Sequence, residues 1–215
     1  MSPGFGWQLS PFDARDHKML SAMNQLEQLP RAVKTWHSDK VLNQLQTNHC
    51  VGFAYAAFGI STPIEDPWTD ATGHNLYRAC KVLDHDPAGE QGSTLRSGAR
   101  VMRARRRIAS YYFASSIDEA ADYVAKYGPV VLGIPWLSAM SKPSAFRGII
   151  VARGQQLGGH AILWYGVDGE WAVLRNSWGL GWGKRGDCRI SLADLRKLYL
   201  MGGEALAASE LPLAA

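Results

Sequence analysis

Four residues of this chain have the types, and the order along the sequence, to carry covalent acyl chemistry: Gln44, Cys50, His160 and Asn176. A cysteine acts as a nucleophile through its thiolate, and that form needs help from its surroundings. Cys50 stands where the polar stretch "QLQTNH" gives way to the small, apolar run "CVGFAYAAF", so it is placed to open a helix. A helix N-terminus carries about half a positive charge, which favours the thiolate, and an imidazolium nearby favours it further. The expectation is that Cys50 is a thiol of low pKa. His160 would supply the base and Asn176 would hold its ring, the nucleophile, base and orienter of acyl transfer. The side-chain amide of Gln44, six residues before Cys50, could join the Cys50 N–H in stabilising an oxyanion.

The elements that must position these residues change character along the chain. Helices are expected from Cys50 to about 59, with Asn48 or Thr47 as cap, then at 74–83 and over "TLRSGARVMRARR". Another is expected at "IDEAADYVAKY", which Ser116 and Glu119 open with a capping box and Gly128-Pro129 close. Beyond Pro129 come short β-rich runs: "VVLGIPW", "GIIVAR", "HAILWYGV", "EWAVLRNSW" and "CRISL". Helices first and antiparallel strands second make an α+β fold of two lobes. The turn at Asp168-Gly169 decides whether His160 and Asn176 can meet. A two-residue loop there puts them on opposite faces; a three-residue loop, Val167–Gly169, sets them opposite each other on one face. We expect the second register.

Composition bounds the remaining possibilities. The 215 residues are 47% hydrophobic and 20% charged with a net charge of +4, a globular balance. No secretory leader or membrane-length apolar run is visible, so no membrane partner is expected. The three cysteines, Cys50, Cys80 and Cys188, form neither a disulfide framework nor a zinc motif. A reduced, cytoplasmic-type protein without metal or organic cofactor is the expectation, with Cys80 and Cys188 as core packing. The basic run "RVMRARRR" (100–107) lacks interleaved aromatics and reads as a solvated helix face, not a nucleic-acid surface. His49 adjoins Cys50 but points elsewhere on a helix and reads as a rim residue. His17, His37, His74 and His85 read as surface residues.

"NQLQTNHCVGFAYA", "GGHAILWYGV" and "RNSWGLGWGKRGDCRI" together resemble the nucleophile, histidine and asparagine segments of papain-like cysteine peptidases. "LPRAVKTW" resembles the mature start of such enzymes, and the likeness runs from about residue 29 to 195. It implies a helical lobe carrying Cys50, an antiparallel, β-barrel-like lobe carrying His160 and Asn176, and a cleft between. It implies hydrolysis of peptide or protein substrates through a thioester, and disulfide-poor bacterial or viral relatives. An acyl transferase or isopeptidase using the same residues, or an inactive peptide-binding scaffold, are the alternatives. The resemblance also implies that Trp178 shields the His160–Asn176 pair, and that Gly92, Ser93 and Gly159 receive the substrate backbone. Thr47 stands where the family has a second cysteine, and Val51 where it has tryptophan. The expected layout is an extension (1–28) packed on the body, a mainly helical part (29–125) whose start can cross to the other lobe, a β-rich part (126–205), and a tail (206–215). An extension of 28 residues is shorter than the family's inhibitory prodomain.

Overall fold

The computed structural model describes residues 4–19, 33–86 and 91–209. The extension's expected end at Leu29-Pro30 therefore lies outside the described residues. Among the described residues, ten strands and five α-helices follow one another. They are β1 (Trp7–Gln8), β2 (His17–Lys18), β3 (Lys34–Thr35), α1 (Cys50–Ile60), α2 (Asp70–Leu83), β4 (Ser93–Thr94), α3 (Leu95–Ala104), β5 (Ser110–Phe113), α4 (Ile117–Lys126), β6 (Val130–Leu137), β7 (Gln156–Asp168), β8 (Trp171–Arg175), β9 (Asp187–Ser191), α5 (Leu192–Leu200) and β10 (Glu204–Ser209).

The main sheet runs β2-β5-β10-β6-β7-β8-β9, with β3 added alongside β7; all its pairings are antiparallel except β2 with β5. Both of its faces are covered. Val130, Leu132, Ile134 and Trp136 of β6 join Ile162 and Trp164 of β7 in a core shared with α4 and α5. Val131, Ala161, Leu163 and Leu206 face the other way, into a core built on α1, α2 and α3. The period-2 alternation of side chains across one strand thus feeds two cores. Strand β10 runs through the middle of the sheet, so the chain does not become a tail at residue 206. "GIIVAR" forms no strand beyond a single bridge between Ile149 and Arg189. Ser116 caps α4 through its hydroxyl as expected, accepting from the Glu119 N–H at 3.1 Å.

Helix α1 is buried along its whole length, which explains a sequence apolar all round rather than on one stripe. Gly52 lets it lie directly on α2: a Cβ there would come within 2.3 Å of the Gly73 carbonyl oxygen. The expected cap is absent. His49 occupies the N-cap position and makes no side-chain cap, so the first N–H groups of α1 keep their capacity to donate to something else. Among the described residues no helix is long and apolar enough to cross a membrane.

Candidate functional site

Helix α1 starts against β7, and this junction brings the four residues of interest together. The Cys50 sulfur accepts a hydrogen bond from the Ala161 N–H at 3.4 Å, one residue from His160. His160 Nε2 donates to Asn176 Oδ1 at 2.8 Å. Oδ1 also accepts from the Ser177 N–H at 2.8 Å, which fixes the orientation of the amide. Nε2 must then carry the ring proton in the neutral imidazole. Nδ1 is left with its lone pair, buried and without a hydrogen-bond partner.

The hairpin reaches this result by a route different from the one expected. Asp168 pairs with Trp171 and Val167 with Ala172, so the turn is the two residues Gly169-Glu170, with φ of +59° at Gly169. Taken alone, that register sets His160 and Asn176 on opposite faces. Further along, Trp164 pairs with Leu174 while Gly166 pairs with Val173, so Tyr165 is an extra residue, a bulge. The bulge restores the parity. Past the last pair, Leu163 with Arg175, the ladder would set Asn176 opposite Ile162, two residues from His160 and on the same face. Arg175 anchors that end of β8: buried, it donates to Asp187 and to the carbonyls of Ser38 and Lys40. The Asn176 N–H donates to the Gly186 carbonyl at 2.9 Å.

Gln44 is fully buried and tied to the same loop. Its Oε1 accepts from the Ser177 hydroxyl at 2.6 Å, and its N–H donates to the Ser177 carbonyl at 2.8 Å. Its Nε2 donates to the carbonyls of Thr47, at 2.6 Å, and Gly4, at 3.1 Å. Ser177, which sequence reasoning passed over, therefore orients both amides of the site. Trp136, also passed over, meets the His160 ring edge-on at 4.9 Å; Trp178 lies tilted to the same ring at 4.8 Å, and the two indoles are themselves 5.0 Å apart. The resemblance assigns Trp178 to shield the His160–Asn176 pair; the structure sets its indole against the His160 ring.

The extension does more than pack on the body: residues Gly4–Gln8 run through the site. The Gly6 N–H faces the Cys50 sulfur and works against the rise in its pKa, and the Gly6 carbonyl accepts from the Ser93 N–H at 2.7 Å. Trp7 and Gln8 form β1 in parallel register with Ser93 and Thr94 of β4. The Phe5 ring stands edge-on to His160 and Trp178 at 6.1 and 6.0 Å. Gly4 and Gly6 lie so close to the chain before Cys50 that added Cβ atoms would come within 2.1 Å of the Thr47 oxygen and 1.8 Å of the Asn48 oxygen. Gly92 and Gly159 lie as tightly against the segment: their Cβ atoms would come within 1.9 Å of the Gly6 oxygen and 2.4 Å of the Trp7 oxygen. Gly92, Ser93 and Gly159 thus receive a peptide backbone, and that backbone is the chain's own.

This cover reverses the expectation of a low-pKa thiolate. Burial pushes the Cys50 thiol up to about 11 despite the N–H groups around it, and pushes His160 down to about 4 despite Asn176. Both groups are neutral at pH 7. His49 turns away from Cys50, stacks on Tyr77 and brings its Nδ1 within 2.7 Å of His74 Nδ1. His74 is thus part of a ring cluster rather than a lone surface residue. Burial, then the charges of His74 and Arg78, lower His49 to about 4; burial and Arg78 lower His74, against Asp70. An unfolded imidazole titrates near 6.5, so the unfolded chain takes up these protons first. Stability is full above that value and falls as the pH drops from about 6.5 towards 4. Melting followed by circular dichroism is expected to show the midpoint sliding down across that window, with His49→Gln flattening the slope. Equal midpoints at pH 7 and pH 4.5 would contradict the assignment. The buried carboxyl of Glu204, raised by its burial, acts in the opposite sense.

Scanned against known families the chain matches none, and no curated protein matches it in sequence. Its fold does match solved structures. Xylellain, a cysteine protease from Xylella fastidiosa, is 16% identical with a TM-score of 0.76, covering 98% of this chain and 97% of its own. The proCathepsin B S9 from Trypanosoma congolense is 12% identical with a TM-score of 0.67, over 97% of this chain and 87% of its own. A Carica candamarcensis cysteine protease in complex with E-64 is 16% identical with a TM-score of 0.59, over 81% and 94%. The fold expected from the sequence, α+β and papain-like, is the fold of this chain.

Proposed function

We propose that the chain is a cysteine peptidase that folds with its own N-terminal segment across the catalytic cleft. The observation that carries this reading is the orphan Nδ1 of His160. A buried ring nitrogen, held unprotonated by the Nε2–Asn176 bond and set beside the start of α1, is a base awaiting a proton. Once the segment leaves, Cys50 gives its proton to Nδ1 and attacks a peptide carbonyl. The Cys50 N–H and Gln44 Nε2 stabilise the oxyanion; the Gly4 carbonyl on Gln44 Nε2 now occupies that donor. His160 then protonates the leaving amine and activates water against the thioester, with Asn176 and Ser177 as positioning residues. No step in this scheme calls on a metal or cofactor. The fold shared with cysteine proteases supports the scheme, and the matching of peptide backbone by Gly92, Ser93 and Gly159 supports a peptide or protein as substrate.

A peptide library digested by the full chain and read by mass spectrometry tests the activity, and products ending in a free carboxylate separate hydrolysis from acyl transfer. Gln44→Ala is expected to lower kcat by about 10²–10³ with little change in KM, because the lost donor acts on the transition state. An unchanged kcat would remove Gln44 from the scheme.

A further inference from the structure

Beside β4 lies a buried cation that neither attacks, protonates nor orients the residues of the proposed chemistry. Lys81 stands in the last turn of α2 with its side chain buried. Its ammonium donates to the Gly92 carbonyl at 2.9 Å and pairs with Asp86 at 2.9 Å and Asp84 at 4.0 Å. Tyr77, one turn earlier on the same face of α2, accepts the Gly92 N–H on its hydroxyl at 3.2 Å. Both main-chain groups of Gly92 are thus held by α2. The Ser93 hydroxyl donates to Asp84 Oδ2 at 2.7 Å, so the next side chain is held from the end of the same helix. The Ser93 N–H is left to the cleft, where it donates to the Gly6 carbonyl at 2.7 Å.

We propose that Lys81 is a positioning residue for substrate: by fixing the Gly92 carbonyl it aims the Ser93 N–H at a carbonyl of the chain lying in the cleft. The inference rests on the cleft being a substrate site, as argued above. The Gly92 carbonyl and the Ser93 N–H belong to one planar trans peptide and point in opposite directions, so a group that holds the first sets the second. Gly92, with φ of +91°, is the kind of residue whose peptide rotates most freely, and an anchor matters most there. Burying an ammonium is costly, and an apolar side chain would fill the same space without that cost. What the charge adds is a strong, directed bond to the carbonyl, which also polarises the N–H across the same peptide. The Gly6 carbonyl now uses this donor, so Lys81 also governs how firmly the N-terminal segment is seated.

Two measurements on the full chain test this. In the first, the alkylation rate of Cys50 reports how often the segment leaves. Lys81→Met, similar in length and apolar, should label about tenfold faster than wild type, and Lys81→Arg, which keeps a cation, within about threefold of it. In the second, Gly6→Val, whose segment cannot seat against the Asn48 carbonyl, cleaves a peptide and its alkene isosteres. Each isostere keeps the extended shape and lacks one carbonyl on the acyl side of the scissile bond. One of them should show a KM about tenfold higher, having lost the bond to the Ser93 N–H. Adding Lys81→Met should raise KM for the parent peptide by the same factor with kcat unchanged, and leave KM for that isostere where it was.

A rise in KM equal for parent and isostere would mark a merely structural role and overturns the inference, as do unchanged labelling and KM. Where circular dichroism shows that Lys81→Met does not fold, Tyr77→Phe takes its place, removing the acceptor of the Gly92 N–H and keeping the ring. It should raise KM about threefold for the parent alone, and equal constants overturn the inference. A chain that cuts no peptide while Lys81→Met labels faster overturns the peptidase reading instead, and leaves Lys81 as the residue that orients the strip.

Discussion

Cys50→Ala is expected to abolish the proposed peptide cleavage, lowering kcat by on the order of 10⁵–10⁶, because groups that act as one nucleophilic unit lose nearly everything when the attacking atom goes. What remains is the oxyanion site and substrate binding, which need no sulfur. The fold survives: the sulfur's partners are backbone N–H groups, and the small change in a buried volume costs about 1 kcal/mol. Cys80→Ala and Cys188→Ala provide the contrast. Both thiols are buried, and burial pushes Cys80 up to about 12 and Cys188 up as well. They lie in core packing, so their loss should appear in thermal melts and not in kcat. A Cys50→Ala chain that still cleaves at a tenth of the wild-type rate would end the covalent mechanism.

Gly6→Val opens the site. No side chain can be built at Gly6 without driving into the Asn48 carbonyl, so the segment has to lift rather than adjust. The lift carries away the Gly6 contacts to Cys50 and Ser93 and the Phe5 ring over His160. In wild type Cys50 and His160 are fully buried, so a small alkylating reagent reaches the sulfur only when the segment opens. Labelling at pH near 7 is expected to be slow for all three cysteines. In Gly6→Val it should rise at Cys50 alone, by about a hundredfold or more, corresponding to about 3 kcal/mol of opening free energy. Water then reaches both groups. The thiol comes down and the imidazole goes up, which moves the pair towards thiolate and imidazolium. The additional change His160→Ala should slow labelling again by removing the cation. Site-resolved mass spectrometry separates the cysteines. Equal rates in wild type and Gly6→Val would show that the segment does not guard the site.

The α+β fold and the four positions proposed for the chemistry were legible in the sequence because they rest on local signals. A helix begins at Cys50, the Ser116 hydroxyl caps α4, and alternation marks β7 and β8. What was not legible depends on counting or on distant contact. The hairpin turn falls one residue later than Asp168-Gly169 suggests, and the compensating bulge at Tyr165, beside Gly166, shows only in the pairing with β8. Ser177 looks like one more polar loop residue until the chain returns Gln44 to its hydroxyl. Trp136 reads as strand core because nothing local says which ring its indole meets. The glycines of "SPGFGW" look like an ordinary loose terminus. Only the Thr47 and Asn48 carbonyls pressed against them reveal that flatness, not flexibility, is what those positions need.

The bulge at Tyr165 has a consequence for how this hairpin can change over time. The ladder from the turn to Val173 carries the wrong parity for the site, and the single extra residue corrects it before Leu163 meets Arg175. Loss of one residue anywhere between His160 and the turn would turn His160 or Asn176 to the opposite face and separate the pair, whatever the remaining sequence. Loss or gain of two would leave it intact. Variation in length within this hairpin should therefore come in even steps, or as an odd change matched by a second bulge. The same arithmetic tells an engineer that the Gly169-Glu170 turn accepts a graft of two residues more readily than a graft of one.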